Sequence, residues 1–301
     1  MSHNVSFIAL LSLLMFVVGC AGTKQTTYLT ADDAVNALVA GVNAHDMGQL
    51  EKIFGPGGDE ILDSGDDVAD RQAGQKFVDA YNQKHQLTTN DDGSLTLVVG
   101  NEDWPLPMPL VKTSGGKWMF DTAAGKDEIV NRRIGRNELD VIQVCKAICD
   151  AEQEYAQNGT SEYAWNLISD SGKKNGLYWP TAPGEPLSPL GELVAKAAAE
   201  GYSIDPTHRE QPHPYHGYIY GLLTSQGSHA PGGEIDFVIN GKLVGGFAVI
   251  AWPADYGNSG IMTFICNYNG DVYQKDLGDD TSELAGAIKT YDPDPTWKKA
   301  D

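Results

Sequence analysis

The chain has 301 residues, a length that suits two domains of roughly 150 residues each. Hydrophobic residues make up 41% and charged residues 21%, so there is apolar surface enough for ordinary cores. With 21 basic and 41 acidic side chains the net charge is −20, which argues against nucleic acid and against electrostatic adhesion to anionic lipid, since both need a basic surface.

Residues 7–18 read FIALLSLLMFVV and are apolar apart from Ser12. A membrane-spanning helix needs roughly 20 such residues, so this run has instead the length of a signal-peptide core. It ends Val17-Val18-Gly19-Cys20, followed by Ala21-Gly22. That ending resembles the lipobox of bacterial lipoproteins. The resemblance implies a signal peptide over 1–19, cleavage before Cys20 and acyl chains on Cys20. No Asp follows the cysteine, which points to an outer-membrane lipoprotein facing the periplasm. One feature departs from the pattern: the six residues before Phe7 contain no Lys or Arg.

Residues 20–29 read as a lipidated tether. Thr30 with Asp33 three residues on is a capping-box signature, and Ala34, Leu38, Val42, Leu50 and Ile53 carry a helical stripe to about Phe54. Gly55-Pro56-Gly57-Gly58 ends it, and an acidic loop follows over 59–70. A second helix is predicted over 73–84, with Phe77 and Tyr81 on one face. Alternation at Leu95, Leu97 and Val99 predicts a strand. The prolines of 104–109 make a stiff extended segment, and Ser114-Gly115-Gly116 turns the chain into a strand at 117–120.

Residues 125–135 read as a junction between two units. A helix is predicted over 138–157, with Val141, Val144, Cys145, Ile148, Cys149 and Tyr155 on one stripe. A Gly-, Pro- and Ser-rich loop over 169–189 leads to a short Ala-rich helix at 190–201. From Tyr215 onward the pattern is an antiparallel meander: 215–220, 235–239 paired with 243–252 across Asn240-Gly241, 261–268, and a strand after Asn269-Gly270. A short helix near 283–288 and a Pro-punctuated tail follow.

Six stretches carry a family resemblance: WPLPMPLV (104–111), WMFDT (118–122), RRIGRNEL (132–139), GLYWP (176–180), GGFAVIAWP (245–253) and YGNSGIMTF (256–264). Together they resemble a bacterial lipoprotein family catalogued only as a domain of unknown function, number 2950. The resemblance covers about 28–297 and implies no activity. Two fold-level resemblances add to it. Residues 30–125 resemble the cystatin-like, NTF-like helix-and-sheet cone. Residues 126–301 resemble a pseudopilin-like domain with a spine helix and a meander. The fold class expected is therefore α+β. The polar residues Arg132, Arg133, Arg136, Asn137 and Glu138 at the head of the spine are incompatible with the apolar packing of a pilus in a membrane.

No residue set has the spacing of a catalytic or metal motif. His208, His213, His216 and His229 gather around a Pro-rich loop and read as exposed, not as ligands of a metal. The acids of 59–70, and Asp276, Asp279 and Asp280, lack the calcium-loop spacing and read as solvated faces. Cys145 and Cys149 read as reduced, buried core residues; with Cys266 they make three thiols past Cys20, an odd number. Ser259 reads as part of a tight turn. Trp104, Trp118, Trp179 and Trp252 read as core. Arg132, Arg133 and Arg136 are the only basic cluster and could hold a ligand anion or clamp the two units through acidic partners. The expectation is a lipid-anchored envelope protein without cofactor, with a non-catalytic binding or scaffolding role. Its partners are the membrane, through Cys20, and an envelope protein or small ligand. The alternative is a small-molecule hydrolase or isomerase with its pocket in the N-terminal cone.

Overall fold

The structure is a computed structural model that describes residues 24–158, 161–203 and 213–300. Cys20 and the apolar run before it, the first residues of the tether, and His208 lie outside the described residues. From Gln25 on, the stretch read as tether is docked: Gln25 Nε2 donates to the carbonyls of Ile53 (2.9 Å) and Phe120 (2.7 Å).

The N-terminal elements are α1 (Ala31–Ala44), α2 (Met47–Phe54), α3 (Asp59–Leu62), α4 (Asp67–Gln83) and strands β1 (His85–Thr89), β2 (Leu95–Val99), β3 (Trp104–Pro105), β4 (Leu110–Lys112) and β5 (Trp118–Phe120). The capping box at Thr30 and Asp33 forms. The single stripe read to Phe54 is two helices, because His45 adopts φ 51° and Asp46 caps a new start through Gln49 N–H. The stretch 59–70 is α3, a short turn and the first turn of α4, which begins earlier than its apolar pattern because Asp66 caps Val68 and Ala69. β1 has polar, exposed residues on both faces, so alternation could not reveal it. The sheet runs β1-β2-β4-β5 antiparallel, with β3 also beside β2. α1 and α2 lay Ala34, Val35, Leu38, Leu50, Ile53 and Phe54 onto Leu97, Val99, Leu110 and Phe120 in one buried cluster.

Residues 125–135, read as a junction, are helical throughout. They belong to α5 (Thr122–Asn158), one helix of 37 residues that runs from the first core into the second. Val130, Ile134, Val141, Val144, Cys145, Ile148 and Cys149 are its buried stripe. That stripe at helical spacing outweighs two interior glycines, each of which costs about 1 kcal/mol against Ala. Gly125 also has a packing reason: a Cβ there would lie 2.7 Å from the backbone at Pro107 and Met108.

The remaining elements are α6 (Gly191–Ala199), β6 (Tyr218–Leu223), β7 (Ser225–Gln226), β8 (Ile235–Asp236), β9 (Val238–Ile239), β10 (Lys242–Leu243), β11 (Ala248–Pro253), β12 (Met262–Asn267), β13 (Val272–Asp276), α7 (Thr281–Ala287), β14 (Thr290–Tyr291) and β15 (Lys298–Lys299). The main sheet has the order β15-β13-β12-β11-β6, with every pair antiparallel. The Asn240-Gly241 turn forms with φ of 53° and 76°, but it joins only the two-residue strands β9 and β10. The longer pairing expected there is broken, because the chain leaves the ladder after Leu243 and β11 pairs with β6 and β12 instead. α5 packs its Val141–Cys149 stripe on Phe247, Val249, Phe264 and Cys266 of one sheet face, and a further cluster with Phe237, Ile250 and Tyr291 lies apart from it. The whole is α+β.

Candidate functional site

A concavity with a volume of about 450 Å³ lies between α5, α6 and β6. Val144 and Ile148 of α5 form one wall. α6 supplies Leu193, Val194 and Ala197, which share one face because they fall three and four residues apart. Tyr220 and Leu222 of β6 form another wall, and Trp165, 45% exposed, stands at the rim. The polar groups around it are mostly committed to the protein. Tyr220 Oη donates to the Tyr215 carbonyl at 3.3 Å, and Tyr202 Oη donates to Asp66 Oδ2 at 2.9 Å. Burial, with the Glu200 carboxylate beside it, raises the Tyr215 phenol well above its ordinary range, so that phenol stays neutral. The site can hold an apolar molecule and offers a few neutral hydroxyls at its edge. Its size falls within the ordinary range for small-molecule sites.

No spacing motif marks this cavity. Its lining comes from seven separate stretches, and the partial signals available were the apolar stripe of α5 and the apolar face of α6. It is lined from Val144 onward, whereas the alternative enzyme reading placed its pocket in the N-terminal cone.

One end of the groove, at Tyr202, meets a buried polar seam. Asp66, 1% exposed, accepts hydrogen bonds from Val68 N–H, Ala69 N–H, Tyr202 Oη and Gly217 N–H. The acid read as part of a solvated face thus ties the start of α4 to β6's approach. His216 lies beside it, with Nδ1 3.4 Å from Asp140 and Nε2 3.5 Å from Glu200. The basic cluster divides. Arg133 donates to the carbonyls of Glu60 (2.9 Å) and Ile61 (2.5 Å) and to Asn258 Oδ1, and Asn258 Nδ2 donates to the Asp63 carbonyl at 2.7 Å. The hydrogen bonds of Arg133 hold α3 to the 255–259 turn through carbonyls and an amide, and the carboxylates of Asp70, Asp63 and Asp255 act on it through charge. Burial lowers the Arg133 pKa, an effect that nearby Asp70 opposes. Arg132 pairs with Glu128 at 2.6 Å and lies 5.6 Å from the Trp104 ring. Arg136 contributes charge beside Arg133.

The other residues singled out from sequence are spread over the molecule. His213 lines the groove, and His229 pairs with Asp292 at 2.9 Å. Asp276 accepts from Tyr256 Oη and Gly278 N–H. Ser259 is buried, its Oγ bonded to Asp255 N–H and carbonyl within a turn. Trp118 packs on the first core and Trp252 on the cluster around Phe237, Trp179 meets Tyr155, and Trp104 is 40% exposed. Cys145, Cys149 and Cys266 are free and buried. Sequence reasoning missed Glu152, which is fully buried on α5. Its Oε2 accepts Ala164 N–H at 2.8 Å, its Oε1 has no partner, and burial pushes its pKa up to about 8.

Fold and cavity together define an α+β protein with an apolar groove against a long central helix. A family model described as protein of unknown function DUF2950 matches residues 25–300, and the chain belongs to that family. No curated protein and no solved structure matches it.

Proposed function

We propose that the protein is a lipid-anchored component of the bacterial cell envelope that binds a small, largely apolar molecule in the groove without transforming it. The observation that supports this reading is the cavity of about 450 Å³ walled by Val144, Ile148, Leu193, Val194 and Leu222. Its neutral hydroxyls suit orientation of a ligand more than proton transfer. The anchor reading rests on Cys20 at the end of the apolar run, with the outer membrane as the site and the periplasm as the face. In this reading the chain has two domains. Residues 30–125 form a cystatin-like unit in which α1, α2 and α4 cover a sheet. Residues 126–301 form a pseudopilin-like unit in which the spine helix backs a meander.

The test uses a naphthylamine dye whose emission rises in apolar surroundings. The dye binds saturably with one site per chain, and apolar ligands displace it. Val194→Trp fills the groove and weakens dye binding at least about tenfold, which is about 1.4 kcal/mol. Non-saturable binding, or equal affinity in folded Val194→Trp protein, overturns the reading.

A further inference from the structure

Three thiols meet where α5 crosses β12. Cys145 and Cys149 are one turn apart on the helix stripe and Cys266 faces them from the sheet, all at 2% exposure or less. Two of the three sulfurs are close: Cys149 Sγ lies 3.0 Å from Cys266 Sγ, across a separation of 117 residues. We infer that Cys149 and Cys266 are a disulfide-forming pair that, in an oxidising environment, joins the spine helix to the central strand and leaves Cys145 as a thiol.

The geometry selects this pair over the others. Cys145 and Cys149 share one helical stripe, and side chains one turn apart on a helix do not meet in bridging geometry. Cys149 and Cys266 project toward each other from separate elements, and a bond about 2.05 Å long closes with a sulfur movement of about 1 Å. Both elements are held by the core on either side, at Val141–Ile148 and at Phe264–Ile265. Closure therefore orders nothing new. Burial has a second consequence. The contact with Cys266 and burial hold the Cys149 thiol far above its ordinary pKa, and burial does the same to Cys145. Neither is a nucleophile in the folded core, since the thiolate is the reacting form. The bond forms when that core is open.

The oxidant is a small-molecule or protein disulfide. The thiolate of Cys149 attacks one sulfur of that disulfide, forming a mixed disulfide and releasing one thiolate. The thiolate of Cys266 then attacks the Cys149 sulfur and displaces the second. The chain loses two electrons and two protons, and the oxidant leaves as two thiols.

The experiment refolds the reduced full-length chain from urea in a mixture of oxidised and reduced glutathione, quenches it in acid, unfolds it, alkylates it and maps each cysteine by peptide mass. A parallel sample starts from folded protein held in sub-denaturing urea. The expected result in both is a peptide linking Cys149 to Cys266, lighter by two hydrogen atoms, with Cys145 alkylated. Cys145→Ser keeps the linked peptide, and Cys149→Ser loses it without Cys145 taking its place. Alkylation of both Cys149 and Cys266 in both samples overturns the inference, as does a linked peptide that carries Cys145.

Discussion

Replacing Glu152 with Gln should make the protein more stable at neutral pH and flatten the pH dependence of its stability. The side chain is fully buried, one oxygen accepts Ala164 N–H and the other has no partner. Burial raises its pKa from 4.5 to about 8, against a smaller lowering by the Ala164 hydrogen bond. Below pH 4.5 the carboxyl is neutral in both folded and unfolded chains and makes no difference. Between 4.5 and about 8 only the unfolded chain releases the proton, so stability falls as pH rises. Above about 8 both forms are ionised and the loss is complete. At about 1.4 kcal/mol per unit the full loss is about 5 kcal/mol, of which about 3 has occurred by pH 7. Gln keeps an oxygen for Ala164 N–H, has nearly the same volume and cannot ionise. Urea unfolding of both proteins at several values from about pH 5 to 8, followed by far-UV circular dichroism, reads the difference. The variant's advantage should grow by about 1.4 kcal/mol per pH unit through the middle of that range. Parallel profiles for the two proteins, or an advantage that shrinks with pH, would refute the assignment of a buried, neutral Glu152.

Asp66→Ala should cost about 3 kcal/mol, because it removes the α4 cap, strands the buried Gly217 N–H and takes away the acceptor of the half-buried Tyr202 hydroxyl; chemical denaturation that finds under about 1 kcal/mol contradicts the seam. Gly125→Ala should destabilise by about 2 kcal/mol because its Cβ would collide with Pro107 and Met108, whereas Gly135→Ala, with nothing within 4 Å, should stabilise by up to about 1 kcal/mol. Thermal unfolding of the two variants in opposite directions is the check, and equal shifts refute the helical crossing. Cys20→Ala should either block processing or release the chain from membranes. Fractionation in high salt that still pellets a processed Cys20→Ala protein would rule out a lipid-only anchor, since a net charge of −20 offers no electrostatic substitute.

Much of the local structure was legible from residues alone. Thr30 and Asp33 announced the start of α1, and Asn240-Gly241 and Asn269-Gly270 announced turns, because capping and turn chemistry act within a few residues. The stripe from Val141 to Cys149 named the buried face of α5 and, with it, one wall of the groove, since helical periodicity records which side meets the core. Other features were decided only by packing between distant segments. Gly125 and Gly135 looked like a break, yet the apolar stripe on both sides and a close backbone approach at Met108 carry one helix through them. Asp66 looked solvated, and only the approach of Tyr202 and Gly217, more than a hundred residues away, makes it a buried acceptor. Arg133 finds carbonyls of α3 because a turn near Asn258 brings them within reach. The groove belongs to this second class. Its walls come from 144–148, 165–168, Tyr178, 190–197, Tyr202 and Ser203, 213–215, and 220–222, and no short-range rule relates those stretches. A cavity is the space that separately folded elements fail to fill, so its place is set by how α6 and β6 settle against α5, which local sequence does not encode.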